Sequence, residues 1–275
     1  MQPVPAHIII RMAARTLAMA SARALRRSAV AAATTCMLLA SPAVAGAAEV
    51  KVLCSNGFRA VMEDLVPAFQ RTTDHTVKVT YGLAADLARR IEGGESFDLA
   101  ILTPALIDDL IKSKKMAADT RTLIARTGLG IMVKSGARKP DVRTTDSFKK
   151  ALLDAQSIAY AKEGASGVAF AALIEKIGLA ETLKPKLKTT ASGEEVNNLV
   201  VQGGAQYGIL PLSEILAVKG AELGGMFPAD VQTWITMATA VNANAKQSAA
   251  ARDLIKFLMT PSATAVVKAK GMERN

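Results

Sequence analysis

Val50-Lys51-Val52-Leu53-Cys54, Val77-Lys78-Val79-Thr80-Tyr81 and Phe97-Asp98-Leu99-Ala100-Ile101-Leu102 have the β-branched and apolar content of strands, and each is followed by helical spacing. Val61, Met62, Leu65, Val66 and Phe69 mark the helix after the first strand. Leu87, Ala88 and Ile91, stopped by Gly93-Gly94, mark the second, and Leu106, Ile107, Leu110 and Ile111 the third. Thr103-Pro104 supplies an N-cap position followed by proline at the first helical residue. Consecutive strand-helix units of this kind predict an α/β fold with a parallel sheet.

Downstream, Gly128 to Lys134 predicts a further strand, and the polar loop Ser135-Gly136-Ala137-Arg138-Lys139-Pro140-Asp141 is compatible with a crossing between lobes. The pattern then restarts. Ser157 to Ala161 is a strand, Lys162 to Gly167 a glycine-bearing loop, and Phe170, Leu173, Ile174 and Ile177 a helix. Ser192-Gly193-Glu194-Glu195 reads as a capping box, Tyr207 to Leu210 as a strand, and Trp234 to Val241 as the closing strand. Two helices follow, one bearing Leu254, Ile255 and Leu258 and one opened by Thr260-Pro261. The whole predicts two α/β lobes.

The chain has 275 residues, half of them hydrophobic, which is enough for a buried core and excludes disorder as its main character. Its formal charge of +10 imitates a nucleic-acid signal, but residues 1–45 hold Arg11, Arg15, Arg23, Arg26 and Arg27 and no acid; without them 29 basic residues face 24 acids. Those basic residues lead into the uncharged stretch Ser28 to Ala48 and the small-x-small string Ala43-Val44-Ala45, a secretory signal peptide over residues 1–45. Removal would leave roughly 230 residues with Cys54 alone, hence no intramolecular disulfide, in an extracytoplasmic space.

Catalytic signatures are scarce. His75 lies in the polar connection Thr72 to Asp74 and reads as an exposed turn residue; Cys54 has no identifiable base beside it. Zinc is excluded by ligand count, and neither a complete dinucleotide fingerprint nor a Walker lysine is present, so no cofactor is expected. The lysine clusters at Lys112 to Lys115 and Lys184 to Lys188 lack interleaved aromatics, so no nucleic-acid partner is expected either. The informative loops are those at the strands' carboxyl ends: Ser55-Asn56-Gly57-Phe58-Arg59, Gly82 to Asp86, Leu102-Thr103-Pro104, and Lys162 to Gly167.

From Glu49 to the C-terminus the chain resembles the molybdate-type periplasmic solute-binding proteins of ABC transporters, the type II "Venus flytrap" fold. The likeness is carried by Val50 to Phe69, by Leu87-Ala88-Arg89-Arg90-Ile91-Glu92-Gly93-Gly94, by Phe97 to Ile101, by Tyr207-Gly208-Ile209 and by Leu258-Met259-Thr260-Pro261. It implies a monomer of two lobes, each a mostly parallel sheet flanked by helices, with residues 49–131 and 235–275 in lobe one, 132–234 in lobe two, and Lys134 and Trp234 near the hinge. It implies capture of a small anionic solute by hinge closure and delivery to a membrane permease, with no covalent step.

The ligand loops depart from the family. The family's first-loop serine falls on Gly57, its second serine on Ala85, and its tyrosine near Pro211, leaving Ser55, Asn56 and Thr103 as nearby replacements and the backbone around Ala84, Ala85, Ser166 and Gly167 as donors. Each lost charge-assisted hydrogen bond to a buried dianion costs about 1.5 to 3 kcal/mol. Arg59 can pair bidentately with a carboxylate, and Lys162 is a second cation, whereas Glu163 and Glu194 would repel an anion unless turned away. The reading is therefore a binder of a small organic acid, with molybdate or a related oxyanion as the alternative. An exported enzyme, or a sensor protein delivering its ligand to a receptor, are competing classes.

Overall fold

The computed structural model describes residues 47–274; the signal peptide expected over residues 1–45, with Cys36, lies outside them. Strand β1 (Glu49–Ser55) passes through a 3-10 turn at Asn56–Phe58 into α1 (Arg59–Thr72), followed by β2 (Thr76–Gly82), α2 (Ala84–Glu92), β3 (Leu99–Leu102) and α3 (Pro104–Lys112). Gly94, at φ 90°, ends α2 in the left-handed conformation that glycine adopts without strain. β3 begins two residues later than the apolar run implies, although the Asp98 backbone still bonds the Lys51 carbonyl and the Asn242 N–H on either side. The buried Asp98 carboxylate accepts the N–H groups of Lys51 (2.9 Å) and Gln247 (3.0 Å), tying β1 to the start of a late helix.

β4 (Thr122–Lys134) is longer than its apolar segment predicts and belongs to two sheets. Thr122 to Gly128 pairs antiparallel with β9 (Trp234–Val241), and Leu129 to Met132 pairs with β7 (Tyr207–Pro211). β8 (Ala221–Met226) adds to the other side of β4. The sheet order is β2-β1-β3-β9-β4-β7-β5-β6, with β5 (Ile158–Ala161) and β6 (Leu187–Thr190) parallel. The result is a two-lobed α/β fold in which each lobe has three parallel strands completed by antiparallel ones, so the sheets are more mixed than expected.

The exchange of partners happens at Gly128-Leu129, within β4, not at the polar loop Ser135 to Asp141. That loop follows the end of β4, where Lys139 pairs with Glu222 of β8 at 2.9 Å. Gly128 sits opposite Trp234, whereas Lys134 lies at the far end of β4 opposite Ala221, away from the exchange. The Gln232 side chain serves the backbone there: its Oε1 accepts the Leu129 N–H at 2.8 Å, and its Nε2 donates to the carbonyls of Leu129 and Phe227.

The remaining helices are α4 (Thr145–Asp154), α5 (Ala165–Lys176), α6 (Ala180–Leu183), α7 (Gly193–Val201), α8 (Leu212–Ile215), α9 (Ser248–Leu258) and α10 (Pro261–Ala269). Leu87, Ile91, Ile107 and Leu110 bury one face of the first sheet, and Val61, Met62, Leu65, Leu254 and Leu258 the other. Val196 and Val200 of α7 cover the second sheet with Leu210. The expected capping box on α7 is half formed. Ser192 accepts the Glu195 N–H, but the Glu195 carboxylate takes the N–H of Ala191 instead of Ser192. A complete box occurs at Thr144 and Ser147 on α4. His75 is half-buried, not an exposed turn residue: its Nδ1 accepts the Ala48 N–H at 3.3 Å beside Phe69. Among the described residues no helix is long and apolar enough to cross a membrane.

Candidate functional site

The carboxyl ends of β1, β2, β5 and β7 meet between the lobes around a narrow cavity of about 30 Å³. Ser55, Asn56 and Gly57 come from the end of β1, Leu83 and Ala84 from the start of α2, and Gly164, Ala165 and Ser166 from the start of α5. Gly193, Pro211 and Glu214 close the second-lobe side, and Ile235 and Met237 of β9 form the floor. An outer pocket of about 220 Å³ adjoins it, lined by Arg59 and Glu63 of α1, Glu194 and Asn197 of α7, and Ser213 and Glu214. Asn56 and Glu214 belong to both walls.

The inner cavity is a donor site without a cation. The first bond of α2 runs from Leu87 N–H to the Leu83 carbonyl and that of α5 from Val168 N–H to the Gly164 carbonyl. The N–H groups of Ala84 to Asp86 and of Ala165 to Gly167 therefore lack intrahelical acceptors. Neither helix has a side-chain cap, so these groups stay available at the positive ends of the two dipoles. Ser55 and Ser166 are buried beside them. No lysine or arginine lines this cavity among the described residues, so backbone dipoles and hydroxyls are what it offers an anion.

The outer pocket is different. Burial pushes the Glu214 carboxyl up to about 7, against the opposing pull of the Arg59 guanidinium. Arg59 donates to Asn56 Oδ1 at 3.2 Å and lies 4.6 Å from the centroid of the Tyr81 ring, so its direction is fixed by two neighbours. Asn197 Oδ1 is buried and has no partner among the described residues. Ser213, buried beneath, donates to the Gly57 carbonyl at 3.0 Å.

The structure gathers Ser55, Asn56, Gly57, Ala84, Ser166 and Pro211 at the inner cavity and Arg59 at the outer pocket. Of the other expected residues, Ala85 and Gly167 contribute only backbone N–H groups at the two helix starts, and the rest lie elsewhere. Phe58 is wholly buried in the core, turned inward by the 3-10 turn. Ala85 lies one position round α2 from Ala84 and faces a separate groove with Leu106. Thr103 makes no cap bond and lines neither cavity. Lys162 is exposed outside both, and Glu163 is turned toward Arg89 of α2 at 3.7 Å. Gly167 packs against β5, where a Cβ would meet the Ala161 carbonyl oxygen at 1.8 Å. Cys54 is buried in the core, which holds its thiol well above its ordinary range and protonated.

Sequence reasoning missed Glu214, Asn197, Gly193 and Met237. Glu214 lies just beyond the end of β7, so the rule that flagged the other strand ends reaches it. Met237 carries no such signal, because it lies within a strand.

A two-lobed α/β molecule whose strand ends and free helix amino termini converge on one interlobe cavity is a ligand-binding protein of type II topology. A family model described as bacterial extracellular solute-binding protein matches residues 50–273, and the chain belongs to that family. A protein from a Pseudomonas species named aconitate isomerase is 28% identical over 248 residues, covering 86% of this chain and 93% of that one. The molybdate-binding protein ModA of Azotobacter vinelandii is 29% identical over 232 residues, covering 82% of this chain and 90% of that protein. Among solved structures, the Azotobacter vinelandii periplasmic molybdate-binding protein superimposes with a TM-score of 0.71 at 18% identity, covering 82% of this chain and 99% of that one. The sulfate-binding protein SubI of Mycobacterium tuberculosis gives 0.69 at 19%, covering 82% of this chain and 87% of that one. These likenesses show the same fold.

Proposed function

We propose that the protein captures a small organic acid between its lobes in the periplasm and delivers it, as a monomer, to an ABC permease. Export would use residues 1–45 as a cleaved signal. Residues 49–131 with 235–275 form lobe one and residues 132–234 lobe two, with the hinge at the strand exchange of Gly128 and Trp234. Ligand bridging the cavity favours the closed form, and the permease reads that closed surface.

One observation carries the ligand class: an anion-binding cavity built from the starts of α2 and α5 with Ser55 and Ser166 lies beside a carboxyl group, Glu214. In the molybdate-type family that the chain resembles, hydroxyls hold the dianion at the position of Gly57 and near Pro211, where this chain has none, and beside Glu214 a dianion loses more than a monoanion. A carboxylate is satisfied by fewer donors, and Arg59 at the outer pocket offers a second point of attachment. The relative named for an isomerase of aconitate, an organic acid, supports the same class, while the molybdate-binding relatives keep an oxyanion as the alternative.

A second reading, as an exported isomerase, is favoured by Glu214 itself. A cleft carboxyl that titrates near neutrality is suited to take a proton from carbon and return it, and one relative bears an isomerase name. Deuterium uptake into a bound carboxylate in D2O, followed by proton NMR, separates this from binding alone.

The test of the main reading is a thermal-shift screen of the purified protein against small carboxylates beside molybdate, tungstate, sulfate and phosphate. A ligand at about 100 times its Kd adds roughly 2.7 kcal/mol. Stabilisation by carboxylates, weakened by Arg59→Ala, is expected; stabilisation by molybdate or tungstate alone overturns it.

A further inference from the structure

The inner cavity, at about 30 Å³, has room for one small group, and Asn56 and Glu214 line both it and the neighbouring outer pocket. A ligand larger than its anionic end must therefore extend past Glu214. What it meets there is an excess of acceptors. Glu63 on α1, Glu194 on α7 and Glu214 on α8 bring carboxyls to the pocket, and the Asn197 carbonyl is buried without a donor among the described residues. The one cation that lines this pocket among the described residues, Arg59, already donates to Asn56 and stacks on Tyr81. Ser213 is spent on the Gly57 carbonyl.

We propose that Glu214, with Asn197, is a specificity determinant that selects carboxylates carrying a hydrogen-bond donor, a hydroxyl or ammonium group, which faces the outer pocket while the carboxylate occupies the inner one. This rests on the carboxylate reading above and adds a two-ended ligand to it. The physical basis is asymmetric. A donor on the ligand satisfies the desolvated Glu214 carboxyl and the buried Asn197 carbonyl, whereas an analogue lacking it leaves them unpaired; Glu63 and Glu194 are exposed and add only negative charge. The same acceptors reject fully ionised oxyanions, which bring only lone pairs. The near-neutral titration of Glu214 fits a carboxyl desolvated at this wall.

Propionate, lactate and alanine share a three-carbon monocarboxylate skeleton and differ by nothing, a hydroxyl or an ammonium at one carbon. Titration calorimetry of the full protein with each is expected to show lactate or alanine bound at least ten-fold tighter than propionate. The preferred member tells which donor the pocket takes. In Glu214→Gln the ratio should fall below about three-fold. Gly193→Ala, whose Cβ would lie 2.5 Å from Glu214 Oε2, displaces the carboxyl without removing it and should blunt the same ratio; it serves as the test if the glutamine variant fails to fold. Propionate bound as tightly as the other two, or a ratio unchanged by both variants, overturns the proposal while leaving the carboxylate reading intact. Failure of all three to bind while other small carboxylates stabilise the protein likewise overturns the proposal alone; failure of every carboxylate tried overturns both.

Discussion

The Ser213 hydroxyl donates to the Gly57 carbonyl at 3.0 Å, joining the helix that follows β7 in the second sheet to the loop that ends β1 in the first. The Ser213 N–H in turn reaches Thr127 Oγ1 at 3.3 Å, and Thr127 donates to Gly271, so the bond is part of a buried chain at the base of the cleft. Under the proposed hinge closure, a bond between Ser213 and Gly57, which come from the two sides of the cleft, is expected to hold the closed arrangement. Ser213→Ala removes one neutral bond and leaves a carbonyl unpaired, a cost of about 1 to 3 kcal/mol. Weaker ligand binding is expected, with a larger radius of gyration for the unliganded protein by small-angle scattering. Unchanged affinity and radius would show that the bond does not report on closure.

Glu214 links stability to pH. Its carboxyl titrates at about 7 in the native protein and at 4.5 in the unfolded chain, so between these values the native state holds the extra proton. Stability therefore falls as pH rises from about 4.5 to 7, by up to about 3 kcal/mol. Glu214→Gln should flatten urea-derived stabilities measured at pH 5 and 8. Arg59→Ala should extend the fall to higher pH, because the guanidinium is the charge that holds the carboxyl down. A wild-type protein equally stable at both pH values would contradict the assignment.

Gly167 is a packing glycine. A Cβ there would lie 1.8 Å from the Ala161 carbonyl oxygen and 2.8 Å from its carbon, and backbone cannot swing aside as a side chain does. Gly167→Ala is expected to cost more than about 3 kcal/mol by chemical denaturation, through separation of α5 from β5. Gly57→Ala contrasts with it. There the nearest atom is the flexible end of Met237 at 2.6 Å, so stability should change little while the cavity narrows and ligand affinity drops.

Asp98 anchors the first sheet. Its two carboxylate oxygens accept the Lys51 and Gln247 N–H groups, and its carbonyl accepts that of Asn242. Asp98→Ala leaves two N–H groups without acceptors and is expected to destabilise the protein by about 2 to 4 kcal/mol in urea titrations. Amide exchange should accelerate first at Lys51 and at the start of α9.

The first three strand-helix units were legible because their apolar residues recur at regular spacing and glycine, proline and threonine mark their ends, as at Gly93-Gly94 and Thr103-Pro104. β6 and β8 were not. Leu187–Thr190 is a half-exposed edge strand with few apolar residues, and Ala221–Met226 carries Gly224-Gly225 and no fully buried residue, so neither has the hydrophobic pattern of a strand. The loop at Ser55 to Gly57 was expected to bind because a strand's carboxyl end is a ligand position in any open α/β sheet, and the structure places it at the inner cavity. Phe58 and Lys162 lie away from that cavity and Ala85 turns its side chain elsewhere, since a turn of one residue decides whether a side chain faces cavity, core or solvent.

The sequence by itself determined the strand-helix order, and it supplied as expectations the export-like leader and the lack of a recognisable histidine- or cysteine-based catalytic signature after it, because these depend on local periodicity and on counting residues. Only the tertiary structure decided that β4 serves both sheets and that Glu214 and Asn197 stand beside the donor cavity of Ser55 and Ser166. Those facts join residues more than a hundred positions apart, and the burial that lifts the Glu214 carboxyl toward neutrality exists only once both lobes have packed around it.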